Sequence, residues 1–276
     1  MIKILCPAKI NLGLYITGNR KDGYHNLSTV FYPIPLYDEL EINIADEDDA
    51  PVYTLSADGV QVEGKEEDNL IIKALMTLRK EYSLPRVHIN IVKHIPTGAG
   101  LGGGSSDCTC TLRALNEMMN LNIPKNRMTE IATKLGADCP FFVEAIPAYA
   151  EGIGEILTPI NLTLKGLWIA LIKPDIHIST REAFAGINCA IPDELPYMTV
   201  RRPVKEWRNK LSNDFERNIF DNHHEIKDIK DKLYEKGALY ASMSGSGSSV
   251  YGLFEKEPKG IGKLFPADFV MVKEMI

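Results

Sequence analysis

Pro96-Thr97-Gly98-Ala99-Gly100-Leu101-Gly102-Gly103-Gly104-Ser105-Ser106 is the stretch on which the reading of this chain turns, because five of its eleven residues are Gly. It stands between two segments of different periodicity. Upstream, Val87, Ile89 and Ile91 alternate with His88 and Asn90, the pattern of a half-buried strand. Downstream, Cys108, Leu112, Leu115 and Met119 recur at helical spacing, which puts Ser105, Ser106 and Asp107 at the helix N-terminus. A turn so poor in side chains lets a ligand approach the backbone, and it aims free N–H groups and the positive end of a helix dipole at one point. That is an anion site, and a polyphosphate suits it. No Gly-Lys-Ser/Thr follows, so the loop is not a P-loop, and it is not read as the dinucleotide fingerprint, which needs an acidic residue about 20 positions further on. Glycine content alone also describes a flexible loop. Flexibility leaves Pro96 before the turn and the Ser-Ser helix start after it without a reason.

The 276 residues allow one large or two small domains, and 45% hydrophobic with 25% charged residues is ordinary for a soluble globular protein. A balance of 31 basic against 37 acidic residues, net −6, speaks against non-specific nucleic-acid binding, so phosphate affinity has to come from local geometry. Cys6, Cys108, Cys110, Cys139 and Cys189 are odd in number and lack C-x-x-C spacing, which reads as reduced thiols of a cytosolic protein. No apolar run approaches the ~18 residues of a membrane span, and Ile2–Leu5 leads straight into Pro7-Ala8-Lys9-Ile10-Asn11 with no signal-like prelude. The chain reads as cytoplasmic, with no membrane and no nucleic-acid partner.

Taken in order, Ile10, Leu12, Leu14 and Ile16 face one way along a strand while Lys9 and Asn11 share the other face, where a lysine is ordinarily just solvated. Asp22-Gly23 marks a tight turn, and the rings of Tyr24 and His25 that follow are either an ordinary strand start or a platform for a flat ligand. Further strands are expected at 28–33 and 39–45, and Asp46 to Asp49 read as a solvated acidic loop. Asp68 or Asn69 caps a helix with the apolar stripe Ile71, Leu75, Leu78, Tyr82, closed by Pro85. A helix over 125–135 ends at Gly136, and Asp138 beyond it, next to Cys139, Pro140, Phe141 and Phe142, is either a desolvated acid needing a partner or a helix cap. A hairpin is expected over 149–156 and a domain boundary within 158–166, giving domains 1–160 and 161–276. Residues 178–184 read as a capping box opening a helix, with Phe184 core by default. The stripe Phe215, Ile219, Ile226, Ile229, Leu233 predicts a long helix over 213–236, on which adjacent His223 and His224 make a poor metal pair. Ser244-Gly245-Ser246-Gly247, between strand-like segments, reads as an ordered turn, and two glycine turns in one chain suggest a cleft.

Three of these motifs, Pro7-Ala8-Lys9-Ile10-Asn11-Leu12, the Pro96–Ser106 loop and Ser244-Gly245-Ser246-Gly247, resemble in order the signature motifs of the GHMP (galactose, homoserine, mevalonate, phosphomevalonate) kinases. Asp22-Gly23-Tyr24-His25 and Gly136-Ala137-Asp138-Cys139-Pro140-Phe141-Phe142 narrow the resemblance to the branch that phosphorylates the 2-hydroxyl of a cytidyl-diphosphate polyol in non-mevalonate isoprenoid synthesis. The resemblance implies an α/β fold of two subdomains, a ribosomal-protein-like N-terminal one for ATP and a ferredoxin-like C-terminal one for the substrate, with a cleft between them. It implies Lys9 and Asp138 as catalytic groups, converging on the transferred phosphorus, and Pro96, Gly98, Ala99, Gly100, Leu101, Gly102, Gly103, Gly104, Ser105 and Ser106 as the phosphate cradle. It implies Asn11, Tyr24, His25, Lys93, Thr180, Phe184 and Gly245 as substrate or nucleotide contacts, with Tyr24 and Phe184 stacking on the base and His25 reading its edge. Mg²⁺ is expected to arrive with ATP, without an assigned protein ligand, in a monomer or homodimer. Ala99 stands where many relatives carry Gly, which the cradle tolerates unless that position needs a positive φ. No site residue is assigned in 192–203. Two rivals remain: a homoserine or mevalonate kinase, and a non-catalytic or RNA-binding module of ribosomal-protein-like fold.

Overall fold

A computed structural model describes residues 1–45, 51–60 and 65–276, so the expected acidic loop at 46–49 lies outside the described residues. The chain divides into two compact units: Met1–Ala8, Leu36–Thr97 and Gly102–Ala145 form the first, and Lys9–Pro35, Gly98–Leu101 and Ile146–Ile276 the second.

Strands β1 (Ile2–Asn19) and β2 (His25–Ile44) pair with each other and supply residues to both units. Each is continuous where the sequence suggests two pieces. In β2 the interruption is only apparent: Pro33 and Pro35 fall between the ladder to one neighbour at Thr29–Phe31 and the ladder to another at Glu39–Ile44, where neither ladder asks for a donor.

In the first unit, β3 (Tyr53–Gly59) runs parallel to β4 (Val87–Lys93), and β4 runs antiparallel to β2. Helices α1 (Leu70–Arg79), α2 (Gly103–Met118) and α3 (Lys125–Leu135) supply Ile71, Leu75, Leu78, Leu112, Leu115, Met128 and Ile131 to a core shared with Leu40, Ile42, Val87, Ile89 and Ile91. Fully burying each such side chain is worth roughly 1.5 to 3 kcal/mol. Asn69, not Asp68, caps α1: its side-chain oxygen accepts from the Ile71 N–H at 2.9 Å. The helix stops at Arg79, so Tyr82 lies beyond the stripe that included it. Gly136 follows α3 at φ 177°, extended rather than left-handed, and a Cβ there would meet the Cys139 Sγ at 3.0 Å.

In the second unit, β5 (Ala148–Glu151) and β6 (Ile156–Pro159) form the expected hairpin. Next come β7 (Trp168–Lys173), the short helices α4 (Thr180–Phe184) and α5 (Pro196–Thr199), α6 (Phe215–Asn222), α7 (His224–Glu235), β8 (Tyr240–Met243), β9 (Val250–Phe254), α8 (Ile261–Leu264) and β10 (Phe269–Glu274). The strands make an antiparallel sheet in the order β10-β7-β9-β8. Ile219, Ile226, Ile229 and Leu233 pack with Ala170, Ile172, Ala241, Met243 and Val250 in one core. The single helix expected over 213–236 is two, broken at His223 (φ −134°, ψ 78°). All five cysteines are free thiols. Among the described residues no helix is long and apolar enough to cross a membrane.

Candidate active site

In the second unit the polar face of β1 is not solvated. Lys9 and Asn11 are only 3% and 2% exposed, so the ordinary expectation for a strand lysine fails here. The Lys9 ammonium donates to the Asn11 side-chain oxygen at 2.7 Å and lies 4.9 Å from the centre of the Phe31 ring. Asn11 in turn donates to the Thr29 hydroxyl at 3.0 Å, and Thr29 donates to the Gly13 carbonyl. The strand backbone is held as well: the Lys9 N–H donates to the Leu101 carbonyl at 2.9 Å, and the Tyr251 hydroxyl donates to that of Asn11 at 2.7 Å. A buried ammonium costs several kcal/mol unless such partners receive it.

The segment Gly98–Leu101 meets the second glycine turn. Gly100 is left-handed (φ +73°), and a Cβ on it would overlap the Ser244 carbonyl oxygen. The Ser244 hydroxyl donates to the Gly100 carbonyl at 2.9 Å, and Gly245 (φ +56°) sits within van der Waals reach of Gly100 and Asn11. Ala99 is buried and has no positive φ, so its departure from Gly costs nothing. The ring of His177, which the sequence did not single out, lies against Gly98.

Asn213-Asp214-Phe215-Glu216 hold this turn in place, although the sequence showed them only as the start of a helix. The Asn213 amide donates to the carbonyls of Met243 and Gly245, both at 2.9 Å. Glu216 accepts from the Met243 N–H at 2.8 Å and the Ser242 hydroxyl at 3.0 Å, and it is ion-paired with Lys230 at 2.6 Å. Asp214 accepts from the Ile16 N–H at 2.7 Å, and burial raises its carboxyl above the usual range.

Tyr24 is 60% exposed beyond the Asp22-Gly23 turn, where the Asp22 carboxylate accepts the Tyr24 N–H at 3.1 Å. The ring found against Phe184 is that of His25, stacked at 4.4 Å and 19° between planes. Thr180 is exposed at the first position of α4.

In the first unit, Gly102 (φ +71°) turns the chain into α2, which begins two residues before Ser105. No side chain caps that helix, so its first-turn N–H groups, from Gly103, Gly104 and Ser105, face outward as anion donors. The Ser106 hydroxyl is fully buried and finds no hydrogen-bond partner among the described residues. Beside this helix start lies a cavity of about 600 Å³ whose lining includes Leu55, Asn69, Leu70, Ile91, Lys93 and Asp107. Lys93 is buried between two carboxylates, ion-paired with Asp38 and with Asp107 at 2.5 Å. Burial pulls its ammonium down, but the charges of Asp107 and Asp38 outweigh burial and leave it above the usual lysine value. Burial pushes the Asp107 carboxyl up to about 7 against the pull of Lys93, and one of its oxygens finds no hydrogen-bond partner among the described residues. Asp38 accepts the N–H groups of His94 and Ile95 at 2.5 and 2.8 Å. Asp138 is half-buried, and its side chain does not cap the 3-10 turn that follows, which removes that alternative.

Two stretches of the chain match family models, 69–145 the GHMP kinases N terminal domain and 200–261 the GHMP kinases C terminal. A 4-diphosphocytidyl-2-C-methyl-D-erythritol kinase from Bacteroides fragilis is 50% identical over 268 residues, 97% of both chains. The chain belongs to the 4-diphosphocytidyl-2-C-methyl-D-erythritol kinase family of GHMP kinases. Another member, from Bacteroides thetaiotaomicron, is 53% identical over 250 residues, 91% of both chains. A crystal structure of 4-(cytidine 5'-diphospho)-2C-methyl-D-erythritol kinase superposes with a TM-score of 0.82 at 28% identity, covering 98% of each chain. The enzyme is therefore a small-molecule kinase with the fold of that family.

Proposed function

We propose that this chain transfers the γ-phosphoryl group of ATP to the 2-hydroxyl of 4-(cytidine 5'-diphospho)-2-C-methyl-D-erythritol, on the non-mevalonate route to isoprenoid precursors. The observation that carries the proposal is half identity, end to end, with kinases named for that substrate. Phosphoryl transfer asks for positioning and charge compensation more than for covalent chemistry. Residues 1–160 take the nucleotide. Its base enters the cavity walled by Leu55, Leu70 and Ile91, with Asn69 and Lys93 as polar groups, and its phosphates lie on the first turn of α2. Residues 161–276 take the substrate through Phe184, Thr180 and Gly245, and the N-terminal part adds Tyr24 as a second stacking ring with Asn11 and His25 as further contacts.

Asp138 accepts the proton of the attacking hydroxyl, and Lys9 stabilises the charge that develops on the transferred group. Mg²⁺ neutralises the phosphates of bound ATP. No three His, Cys, Asp or Glu side chains gather to hold an ion among the described residues, and a hard cation chelated by phosphates and water needs no such cage. The enzyme works in the cytoplasm as a monomer or homodimer and without a nucleic-acid partner. A coupled assay of ADP release with the cytidyl substrate, homoserine and mevalonate tests the proposal. Turnover of either small acid with none of the cytidyl compound would overturn it.

A further inference from the structure

Helix α4 is five residues long, too short to hold its shape alone, yet it carries Thr180 and Phe184. Ser179 caps it, accepting the Glu182 N–H at 3.1 Å, but the Glu182 side chain does not return to close the capping box. It reaches the His223 Nε2 at 2.7 Å instead. His223 stands at the joint of α6 and α7, and that joint is anchored by the fully buried Ile219 and Ile226 on either side. The same surface grips α4 twice more: the Asn218 amide donates to the Glu182 carbonyl at 2.9 Å, and Phe215 meets Phe184 edge-on at 4.8 Å and 84°. Phe184 then lies flat on His25 at 4.4 Å. A continuous path of polar and ring contacts runs from the helix joint to the ring pair.

We infer that Glu182 and His223 form a strut that positions Phe184, and so tunes affinity for the nucleobase end of the substrate, an inference resting on the reading of Phe184 as a base-stacking ring. Glu182 and His223 are positioning residues and need not touch substrate. Base stacking is steep in distance and angle, so a ring carried by an unbraced single-turn helix loses contact with the base before anything else in the site changes. The strut acts through Phe184, which the proposed nucleotide site does not use, so affinity for ATP should not feel its loss.

Steady-state kinetics of Glu182→Ala, Glu182→Gln, His223→Ala, the double Ala variant and Phe184→Ala, varying each substrate in turn, test the inference. Phe184→Ala should raise KM for the cytidyl substrate at least about tenfold. Glu182→Ala should raise it roughly three- to tenfold, with kcat and KM for ATP within about twofold of wild type. Glu182→Gln still accepts from the imidazole and should stay within about twofold. His223→Ala should reproduce Glu182→Ala, and the double variant should be no worse than either single one. If Phe184→Ala leaves KM for the cytidyl substrate unchanged, the reading of Phe184 as a stacking ring is wrong. If Phe184→Ala raises it while Glu182→Ala and His223→Ala do not, the strut is refuted. A parallel rise in both KM values, or damage from Glu182→Gln equal to that from Glu182→Ala, refutes it as well.

Discussion

Asp107→Asn isolates a balance of two opposed forces on one carboxyl group. Burial drives Asp107 from the ordinary 3.8 up to about 7, while the Lys93 ammonium at 2.5 Å pulls the other way. The native state thus holds the proton more tightly than the unfolded chain does. Between about pH 4 and about pH 7 it binds more protons than the unfolded chain, so the unfolding free energy falls as pH rises through that window. The contribution is full below the ordinary carboxyl value and is lost as pH passes about 7. A difference of roughly three pH units at 1.36 kcal/mol each bounds it at about 4 kcal/mol. Asn carries no proton to exchange, and Asp38 remains to pair with Lys93. Urea unfolding of wild type and variant at several pH values from about 4 to about 8 reads the effect, because every other titrating group is common to both. The wild type should lose up to about 4 kcal/mol relative to the variant across that range. A gap that stays constant, or that grows in favour of the wild type as pH rises, would show that the ammonium and not burial governs this carboxyl.

Asp138→Asn should lower turnover roughly 10²- to 10⁴-fold with nucleotide affinity unchanged, measured by single-turnover kinetics and titration calorimetry; turnover within about threefold of wild type would end its role as base. Gly100→Ala combines a left-handed position with overlap on the Ser244 carbonyl, whereas Gly98→Ala meets only the His177 ring at 3.4 Å. The first should cost more than about 2 kcal/mol in thermal or urea unfolding and the second about 1 to 2, and equal losses would mean that the two glycine turns are not in contact. His25→Ala should weaken the cytidyl substrate far more than ATP in a KM comparison, and equal weakening would place His25 outside the substrate site.

What was legible in the sequence was local. The glycine loop, the start of α2 and the helix at 125–135 follow from turn chemistry and periodicity within a dozen residues, and all three stand in the structure. The break in the 213–236 segment was hidden by arithmetic: Ile219 and Ile226 are seven residues apart, two helical turns, so the stripe keeps its phase across His223 although the helix does not continue. The burial of Lys9 and Asn11 was invisible because what covers them comes from Thr29, Leu101 and Tyr251, and no property of β1 itself announces a second buried face. Asn213 and Glu216 passed as helix residues for the same reason, since the groups they hold lie 30 and 27 positions further on.

Three ionisable groups buried together, Lys93, Asp38 and Asp107, are expensive, and apolar residues of similar size would often stabilise a fold more. Their partners show how the cost is divided. Asp38 is committed to the backbone, since it receives two N–H groups at the end of β4, and Lys93 neutralises it. Asp107 is then the surplus charge, with an oxygen that finds no hydrogen-bond partner among the described residues, just past the first turn of α2, near enough to the helix start to draw on the dipole that favours one negative group there. A phosphate on the same helix start would compete with an ionised Asp107 for that field but not with a protonated one. The desolvation that raises this carboxyl therefore favours the proposed nucleotide site: it weakens the hold of an ionised Asp107 on the helix start, while the carboxyl still accepts from the Lys93 ammonium beside the cavity.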